Sequence, residues 1–289
     1  MKLRTIEQTF ISAGVPFERS RVVLIGCPFD ATASFRPGAR FGPSAIRRAS
    51  WGIETYSPYL GKDLSGLKIH DMGDLELPLG DKKQALDLVL KAIRYVLSAR
   101  KFPVVLGGDH LVTLPVLEEM SRAHPGLCLV HLDAHTDLRE DYLGETHSHS
   151  TVMRRILEYR GKTGLFQIGV RSGTEEEFRI ARKMKSLVAA DPRSLRSMVR
   201  QIGKRPVYIT LDLDLLDPSI LPGVGTPEPG GLTFREFITL LEALQPLRAV
   251  GFDVVELTPD YDPTQVSSVT ASVILREMIL AFCWSRGKK

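Results

Sequence analysis

Cysteine, unbalanced charge and long apolar runs are all scarce in this sequence of 289 residues. The three cysteines (Cys27, Cys128 and Cys283) are far apart and odd in number, which excludes the disulfide framework of a small secreted domain. The 38 lysines and arginines nearly balance the 34 aspartates and glutamates, and they form no basic stripe, so nucleic acid is not an expected partner. We expect the cysteines to pack in the core in a reducing compartment.

Targeting and membrane signals are also missing. The first thirty residues contain no positively charged segment followed by an apolar block, so no signal peptide is expected. No uninterrupted apolar run approaches the roughly twenty residues that are needed to span a bilayer. These features predict a cytoplasmic protein that makes no contact with a membrane.

The chain does contain a regular alternation of apolar strands and amphipathic helices. Residues 21–26, 102–106 and 207–211 are predominantly apolar, as expected for strands covered on both faces, and residues 82–99 carry apolar side chains at helical spacing. No linker, composition shift or internal repeat divides the sequence. The pattern predicts one three-layer α/β/α domain over residues 1–289, with a mainly parallel sheet and a ligand site at the carboxyl ends of its strands.

Metal-binding residue types follow three of the predicted strands. The candidates are His110 after the first strand, Asp133, His135 and Asp137 after the second, and Asp212 and Asp214 after the third. Residues two apart in a strand face the same side, so Asp133 and His135 are expected to point together, as are Asp212 and Asp214. Unpaired ionisable groups are costly to bury, and a bound cation is the simplest way to keep them there. The alternative interpretation is an ordinary polar strand end.

These residues together supply four carboxylates and two imidazoles, which suits a pair of ions that share bridging carboxylates. An oxygen-rich set with some imidazole favours Mn²⁺, with Co²⁺, Fe²⁺ or Zn²⁺ as alternatives. Paired metals are a hydrolytic arrangement because they lower the pKa of a bound water. The excess of negative charge predicts a cationic substrate.

Three motifs in this region carry a more specific resemblance. They are Gly107-Gly108-Asp109-His110, Asp133-Ala134-His135-Thr136-Asp137 and Asp212-Leu213-Asp214-Leu215-Leu216-Asp217-Pro218. In this order they resemble the metal signatures of the ureohydrolases, the family of the arginases and agmatinases. The resemblance implies the arginase/deacetylase fold, two Mn²⁺ ions that support hydrolysis of a guanidino compound to urea and an amine, and a homo-oligomer, a trimer or hexamer.

The resemblance also implies a role for each matching residue. One metal would be held by His110, Asp133, Asp137 and Asp212, and the other by His135, Asp133, Asp212 and Asp214. Glu256 matches the glutamate that receives the guanidinium, a role that suits a carboxylate because it pairs bidentately with the planar cation. Asp137 would steer the proton of the nucleophile. His149 matches the histidine that passes a proton to the leaving amine, with His147, two residues away, as the alternative.

The segment between Asp137 and His149 guides the choice of substrate. Glu140 and Glu145 lie where arginases carry side chains that grip the α-carboxylate of arginine, and their charge is expected to bind a second cation instead. We therefore expect agmatine as the substrate, with putrescine and urea as products. Because Arg139 is suited to an acidic tail, guanidinobutyrate and arginine remain alternatives. A metal-dependent amide deacetylase, whose tandem His-His this sequence lacks, and an inactive regulatory relative are further alternatives.

Overall fold

The main strands coincide with the apolar runs of the sequence. The structure, a computed structural model, describes residues 8–161 and 164–287, and the predicted domain 1–289 extends beyond these ranges. Within them, strands β1 to β10 are, in chain order, Val22–Cys27, Tyr56–Ser57, Lys62–Asp63, Ile69–Asp74, Phe102–Gly107, Cys128–Leu132, Leu165–Ile168, Leu187–Val188, Pro206–Asp212 and Arg248–Val255. The pattern does not predict β2, β3 and β8, because two residues are too short to show a period.

Helices α1 to α8 are, in chain order, Gly42–Ser50, Lys82–Ser98, Thr113–Ala123, Val152–Arg160, Glu175–Met184, Pro192–Ile202, Phe234–Leu244 and Val266–Gly287. Four of the described helices, α2, α5, α6 and α7, begin after a polar residue whose side chain caps the first turn. Thr233 and Glu236 form the predicted capping box at the start of α7, where each side chain accepts a hydrogen bond from the backbone of the other residue. A second box, Thr174 with Glu177, begins α5.

Eight of the described strands form a single sheet, in the order β4-β1-β5-β10-β9-β6-β7-β8. Every pairing recorded within it is parallel, so the predicted mainly parallel sheet is confirmed. Strands β5, β10, β9 and β6 are therefore consecutive neighbours at its centre. Because parallel strands end at the same edge, the residues that follow these four strands come together there.

Helices cover both faces of the sheet. In β1, Val22 and Leu24 pack into one core while Val23 and Ile25 pack into another, as the alternation of a strand requires. The first core contains side chains of α1, α6, α7 and α8, and the second contains side chains of α2, α3, α4 and α5. This is the predicted three-layer α/β/α arrangement.

Helix α8 is long and apolar. By length and composition its segment Val266–Trp284 would suit a membrane span, with a mean hydropathy of 1.6. However, 72% of the segment is buried, and it carries the buried ion pair between Arg276 and Glu277. Core helices of globular proteins have these properties, so we interpret α8 as part of the core.

Candidate metal centre and active site

The glycines at the end of β5 bring two segments of backbone into contact. A Cβ atom on Gly108 would lie 1.7 Å from the carbonyl oxygen of Phe29, and one on Gly107 would lie 2.6 Å from the side chain of Val255. The close approach of these segments is possible because neither glycine has a side chain. The Asp109 N–H donates to the same Phe29 carbonyl at 2.6 Å, which fixes the loop that begins after β1 over the end of β5.

Asp133 and Asp212 each fold the chain back at the end of their strands. The Asp133 carboxylate accepts the backbone N–H of His135 at 2.6 Å, and the Asp212 carboxylate accepts that of Asp214 at 2.8 Å. Strand β6 ends at Leu132 and Asp214 lies in a 3₁₀ turn, so the expectation that these pairs follow strand alternation is wrong. The side chains still converge: His135 Nδ1 lies 3.5 Å from Asp133 Oδ1, and the charge of Asp214 acts on Asp212.

One imidazole nitrogen is surrounded by carboxylates. His110 Nδ1 lies 3.1 Å from Asp133 Oδ2, 3.2 Å from Asp137 Oδ2 and 3.4 Å from Asp212 Oδ2. It is buried, and none of the described residues gives it a hydrogen bond of acceptable geometry. A buried nitrogen without a partner, facing three oxygens, fits a site for a cation.

A second group of ligand atoms adjoins the first. His135 Nδ1 lies 2.9 Å from Asp214 Oδ2 and 3.5 Å from Asp133 Oδ1. Asp133, His135 and Asp214 could together hold a metal ion, and Asp133 also belongs to a group with His110 and Asp137. Asp133 therefore lies between two clusters, the position that a bridging ligand requires.

His131 also lies close enough to Asp133 to be counted among the possible ligands. However, its Nε2 is 2.7 Å from Asp133 Oδ2, and its Nδ1 is 3.1 Å from the amide nitrogen of Gln167. Gln167 can only donate from that nitrogen, so His131 donates from Nε2 to the carboxylate. With both nitrogens engaged in these contacts, His131 is placed to orient the Asp133 carboxylate and not to bind a metal itself.

The carboxylates and imidazoles of this cluster have shifted pKa values. Burial, followed by the charges of neighbouring aspartates, raises the pKa of Asp212 well above its usual range and also raises that of Asp214. Burial opposes protonation of the imidazoles, but the surrounding carboxylates outweigh it, so the pKa of His110 is raised and that of His135 reaches about 12. The metal-free cluster thus retains protons that a cation would displace.

Glu256 lies across the same cavity in a left-handed backbone conformation. Its φ is +68°, and Asp137 at +53° is another of the few non-glycine residues with positive φ, a conformation often found at functional sites. Glu256 Oε1 accepts the backbone N–H of His110 at 2.7 Å, and the Glu256 N–H donates to the Gly108 carbonyl at 2.9 Å. The carboxylate is thereby fixed to the loop that carries His110. Burial, and then the charge of Asp109, raise its pKa well above the usual range.

His149 lies between two hydroxyl groups of loop 28–38. Its backbone N–H donates to Thr32 Oγ1 at 3.0 Å, and its Nε2 is 3.3 Å from Ser34 Oγ. His147 is exposed, and its Nδ1 is 3.1 Å from Thr146 Oγ1. Of the two histidines, only His149 is found among the described residues that line the cavity.

The cavity has a volume of about 230 Å³. Its lining combines the candidate ligands with polar residues of the surrounding loops: Ser34, His110, His135, Asp137, Arg139, Tyr142, His149, Ser150, Ser172, Gly173, Glu177, Asp212, Thr226 and Glu256. Acidic and imidazole groups dominate this lining. A small, polar cavity of this kind can position a substrate against the candidate metal ligands.

The sequence and the fold both match known proteins. The model of the arginase family matches residues 20–281. The chain belongs to the arginase family. It is 42% identical over 279 residues to an agmatinase from Bacillus cereus, covering 95% of this chain and 96% of that one, and 35% identical over 274 residues to the human mitochondrial guanidino acid hydrolase, covering 89% and 77%. The agmatine ureohydrolase structure of Thermoplasma volcanium superposes with a TM-score of 0.85 at 32% identity, covering 98% and 97%.

Membership of the arginase family confirms several predictions. The resemblance to ureohydrolases, the arginase/deacetylase-like fold and an enzyme of the amidinohydrolase type are all as expected. The described residues also include His/Asp groups that could bind a metal. The assignment of individual residues to catalysis, and the identity of the metal, remain predictions.

The structure does not bring Glu140 and Glu145 into the cavity. Glu140 forms ion pairs with Arg154 and Arg155 at the start of α4, and Glu145 pairs with Lys82 at 2.5 Å. Both carboxylates are largely exposed, and neither is among the described residues that line the cavity. The prediction that they bind the tail of the substrate therefore has no support in the geometry, because neighbouring cations turn them away.

Arg139 and Tyr142 form the corresponding wall of the cavity instead. The Arg139 guanidinium lies 4.8 Å from the centre of the Tyr142 ring, and its Nε is 3.6 Å from Glu177 Oε2. The Tyr142 ring meets His149 edge-on at 6.2 Å between centroids. No motif in the sequence singles out Thr32, Ser34 and Tyr142 as residues of the site. Nothing in their spacing indicates that they meet His149.

Proposed function

We propose that this member of the arginase family hydrolyses the guanidino group of agmatine, producing putrescine and urea, with the help of two Mn²⁺ ions. The observation that carries this proposal is the position of His110 Nδ1 among three carboxylates, in the same cavity as the Glu256 carboxylate. Similarity to the Bacillus cereus agmatinase supports the choice of substrate.

In this proposal the ligands divide into two overlapping sets. One ion would be held by His110, Asp133, Asp137 and Asp212, and the other by His135, Asp133, Asp212 and Asp214. When bound, such a pair supplies a hydrolytic nucleophile near neutral pH by lowering the pKa of a bound water. The oxygen-rich donor set favours Mn²⁺ over ions that prefer sulfur or more imidazole.

The protein side chains bind the substrate and move protons. Glu256 receives the guanidinium on its carboxylate; Oε1 is already oriented by the His110 N–H, so Oε2 is the oxygen available for the new bond. Asp137 accepts the proton of the attacking nucleophile. His149 donates a proton to the departing amine nitrogen from the opposite wall, where Ser34 contacts its Nε2 and Thr32 accepts its backbone N–H.

The charge of the cavity, rather than an acidic tail-binding loop, supports a cationic substrate. Four ligand carboxylates balance two divalent ions, and Glu177 lies close enough to Arg139 to offset its charge. Glu256 then leaves one negative charge. A substrate with two positive charges, such as agmatine, gains more from this field than a zwitterionic or neutral one.

A guanidino acid such as guanidinobutyrate is the second candidate, with arginine next. The observation that favours it is the presence of Arg139 in the cavity wall, since a guanidinium can bind a carboxylate tail. The similarity to the human guanidino acid hydrolase points the same way. Agmatine remains the first candidate because Arg139 already contacts Glu177 and Tyr142.

We also propose a single catalytic domain, a cytoplasmic location and a homo-oligomeric state, a trimer or hexamer. These proposals derive from the undivided sequence, the three buried free cysteines, which fit a reducing compartment, and the family resemblance, respectively. A role in polyamine synthesis would follow if the product is putrescine.

Replacement of Asp133 by Asn tests the metal-dependent function directly. Since Asp133 bridges the two ligand sets, Asp133→Asn should abolish both Mn²⁺ binding, measured by metal analysis after gel filtration, and urea release. Circular dichroism would verify that the variant is folded. A folded variant that binds no metal but retains wild-type turnover would contradict the proposal.

A further inference from the structure

A buried network behind His110 involves residues outside the proposed ligand set. Asp253, near the end of β10, has no exposed surface, and its carboxylate accepts hydrogen bonds from three hydroxyl groups. Thr210 donates to Oδ1 at 2.5 Å, and Tyr208 and Thr113 each donate to Oδ2 at 2.9 Å. All three donors are fully buried, so hydrogen bonds from neutral hydroxyl groups hold this carboxylate inside the protein.

The network reaches His110 through Thr210. Thr210 Oγ1 lies 2.8 Å from His110 Nε2. A threonine hydroxyl has a single proton, and here that proton is donated to Asp253. Thr210 Oγ1 can then only accept from His110, so Nε2 carries the ring proton.

This assignment determines what Nδ1 presents to a metal ion when the His110 ring is neutral. With the proton on Nε2, a neutral His110 presents a bare lone pair at Nδ1, the atom that faces Asp133, Asp137 and Asp212. A lone pair and three carboxylate oxygens repel one another unless a cation lies between them. The opposite tautomer would instead donate Nδ1–H to those carboxylates and compete with a metal.

We propose that Asp253, acting through Thr210, is a positioning residue that holds His110 in the tautomer and orientation required of a metal ligand. The inference rests on the proposed metal centre and extends it to residues that touch neither metal nor substrate. Groups that orient a ligating histidine commonly change metal affinity by about 10- to 100-fold when they are removed.

The test is Mn²⁺ binding, followed by the electron paramagnetic resonance signal of free Mn²⁺ during titration of the metal-free protein. Asp253→Asn and Thr210→Val should each weaken the binding of one ion about 10- to 100-fold. Thr210→Ser, which keeps the hydroxyl, should restore most of the affinity. Tyr208→Phe is the matched control, because it removes a donor to Asp253 but leaves the hydrogen bonds from Asp253 through Thr210 to His110 intact. The affinity of this variant for Mn²⁺ should stay near that of wild type.

A spectroscopic measurement separates orientation from general destabilisation. In the Zn²⁺-loaded wild-type protein, the His110 Nε2 proton should give a slowly exchanging NMR signal that disappears in Thr210→Val and returns in Thr210→Ser. Wild-type affinity for both ions in folded Asp253→Asn and Thr210→Val would overturn the inference while leaving the proposed function intact. Failure of the wild-type protein to bind Mn²⁺ would instead overturn the metal centre itself.

Discussion

Glu256→Gln isolates the charge of the residue proposed to bind the guanidinium. The substitution conserves shape, and the His110 N–H at 2.7 Å continues to select the side-chain oxygen of Gln. The new NH₂ group then lies in the place of Oε2, where it faces the N–H donors of the substrate. Two groups of hydrogen-bond donors then face each other, so the variant loses a charge-assisted hydrogen bond and gains a repulsive contact.

The magnitude follows from the burial of the site. Removing one partner of a buried charged pair costs about 2–5 kcal/mol, which corresponds to a decrease in kcat/KM of about 30-fold to a few thousand-fold. Initial rates of urea release from agmatine give the value. Glu140→Gln, the same chemical change outside the cavity, is the matched control and should remain near wild type.

The same substitution should not destabilise the metal-free fold. The pKa of Glu256 is raised by burial and by Asp109, so its contribution to the free energy of unfolding is fully present below the unfolded pKa of about 4.3 and is lost as pH rises through the folded value. Gln carries no charge, so it makes no such pH-dependent contribution. In urea unfolding, the free energy of unfolding of the variant should therefore rise relative to that of wild type between pH 5 and pH 8. A loss of activity below tenfold, or a variant much less stable at pH 8, would refute this reasoning.

Three further substitutions test other parts of the site. His149→Asn should lower kcat about 10²–10⁴-fold and alter the pH–rate profile, whereas His147→Asn should remain near wild type; equal effects would contradict the assignment of the proton donor. Arg139→Met should raise the KM for guanidinobutyrate by up to about fivefold, since partly exposed ion pairs contribute about 0.2–1 kcal/mol; an equal rise for agmatine would count against a role in tail selection. Asp217 has its pKa lowered to about 2 by hydrogen bonds from Ser219 and from the glycines at the end of the loop, so its stabilisation is present above the unfolded pKa and is lost as pH falls. The difference in unfolding free energy between wild type and Asp217→Asn should therefore shrink from pH 5 to pH 2.5, and a constant difference would contradict it.

The strands and the convergence of the ligands could be predicted because both depend on local patterns. Continuous apolar runs identify strands that are buried on both faces, and parallel strands necessarily end at one edge. The local geometry at the strand ends could not be predicted in the same way. The side chains of Asp133 and Asp212 accept the N–H groups two residues ahead, where the strands end, and residue spacing alone does not distinguish this turn from a continued strand.

The features that could not be predicted from the sequence depend on contacts between residues far apart in the chain. The sequence shows that Glu140 and Glu145 are acidic, but not which cations they contact. Glu140 pairs with arginines of α4 and Glu145 with Lys82, and these contacts depend on how separate elements pack. Asp253 likewise reads as one polar residue in an apolar strand. Its three hydroxyl partners come from β9 and α3, so only the folded chain reveals the network.

Urea release by the purified, Mn²⁺-loaded protein, measured in parallel with agmatine, guanidinobutyrate and arginine, tests the central claim most directly. The charge of the cavity and the similarity to agmatinases predict a strong preference for agmatine, with activity lost on chelation and restored by Mn²⁺. Preference for guanidinobutyrate or arginine would retain the metal-dependent chemistry and reject the choice of substrate. No urea from any of the three, with metal bound, would contradict the proposed function.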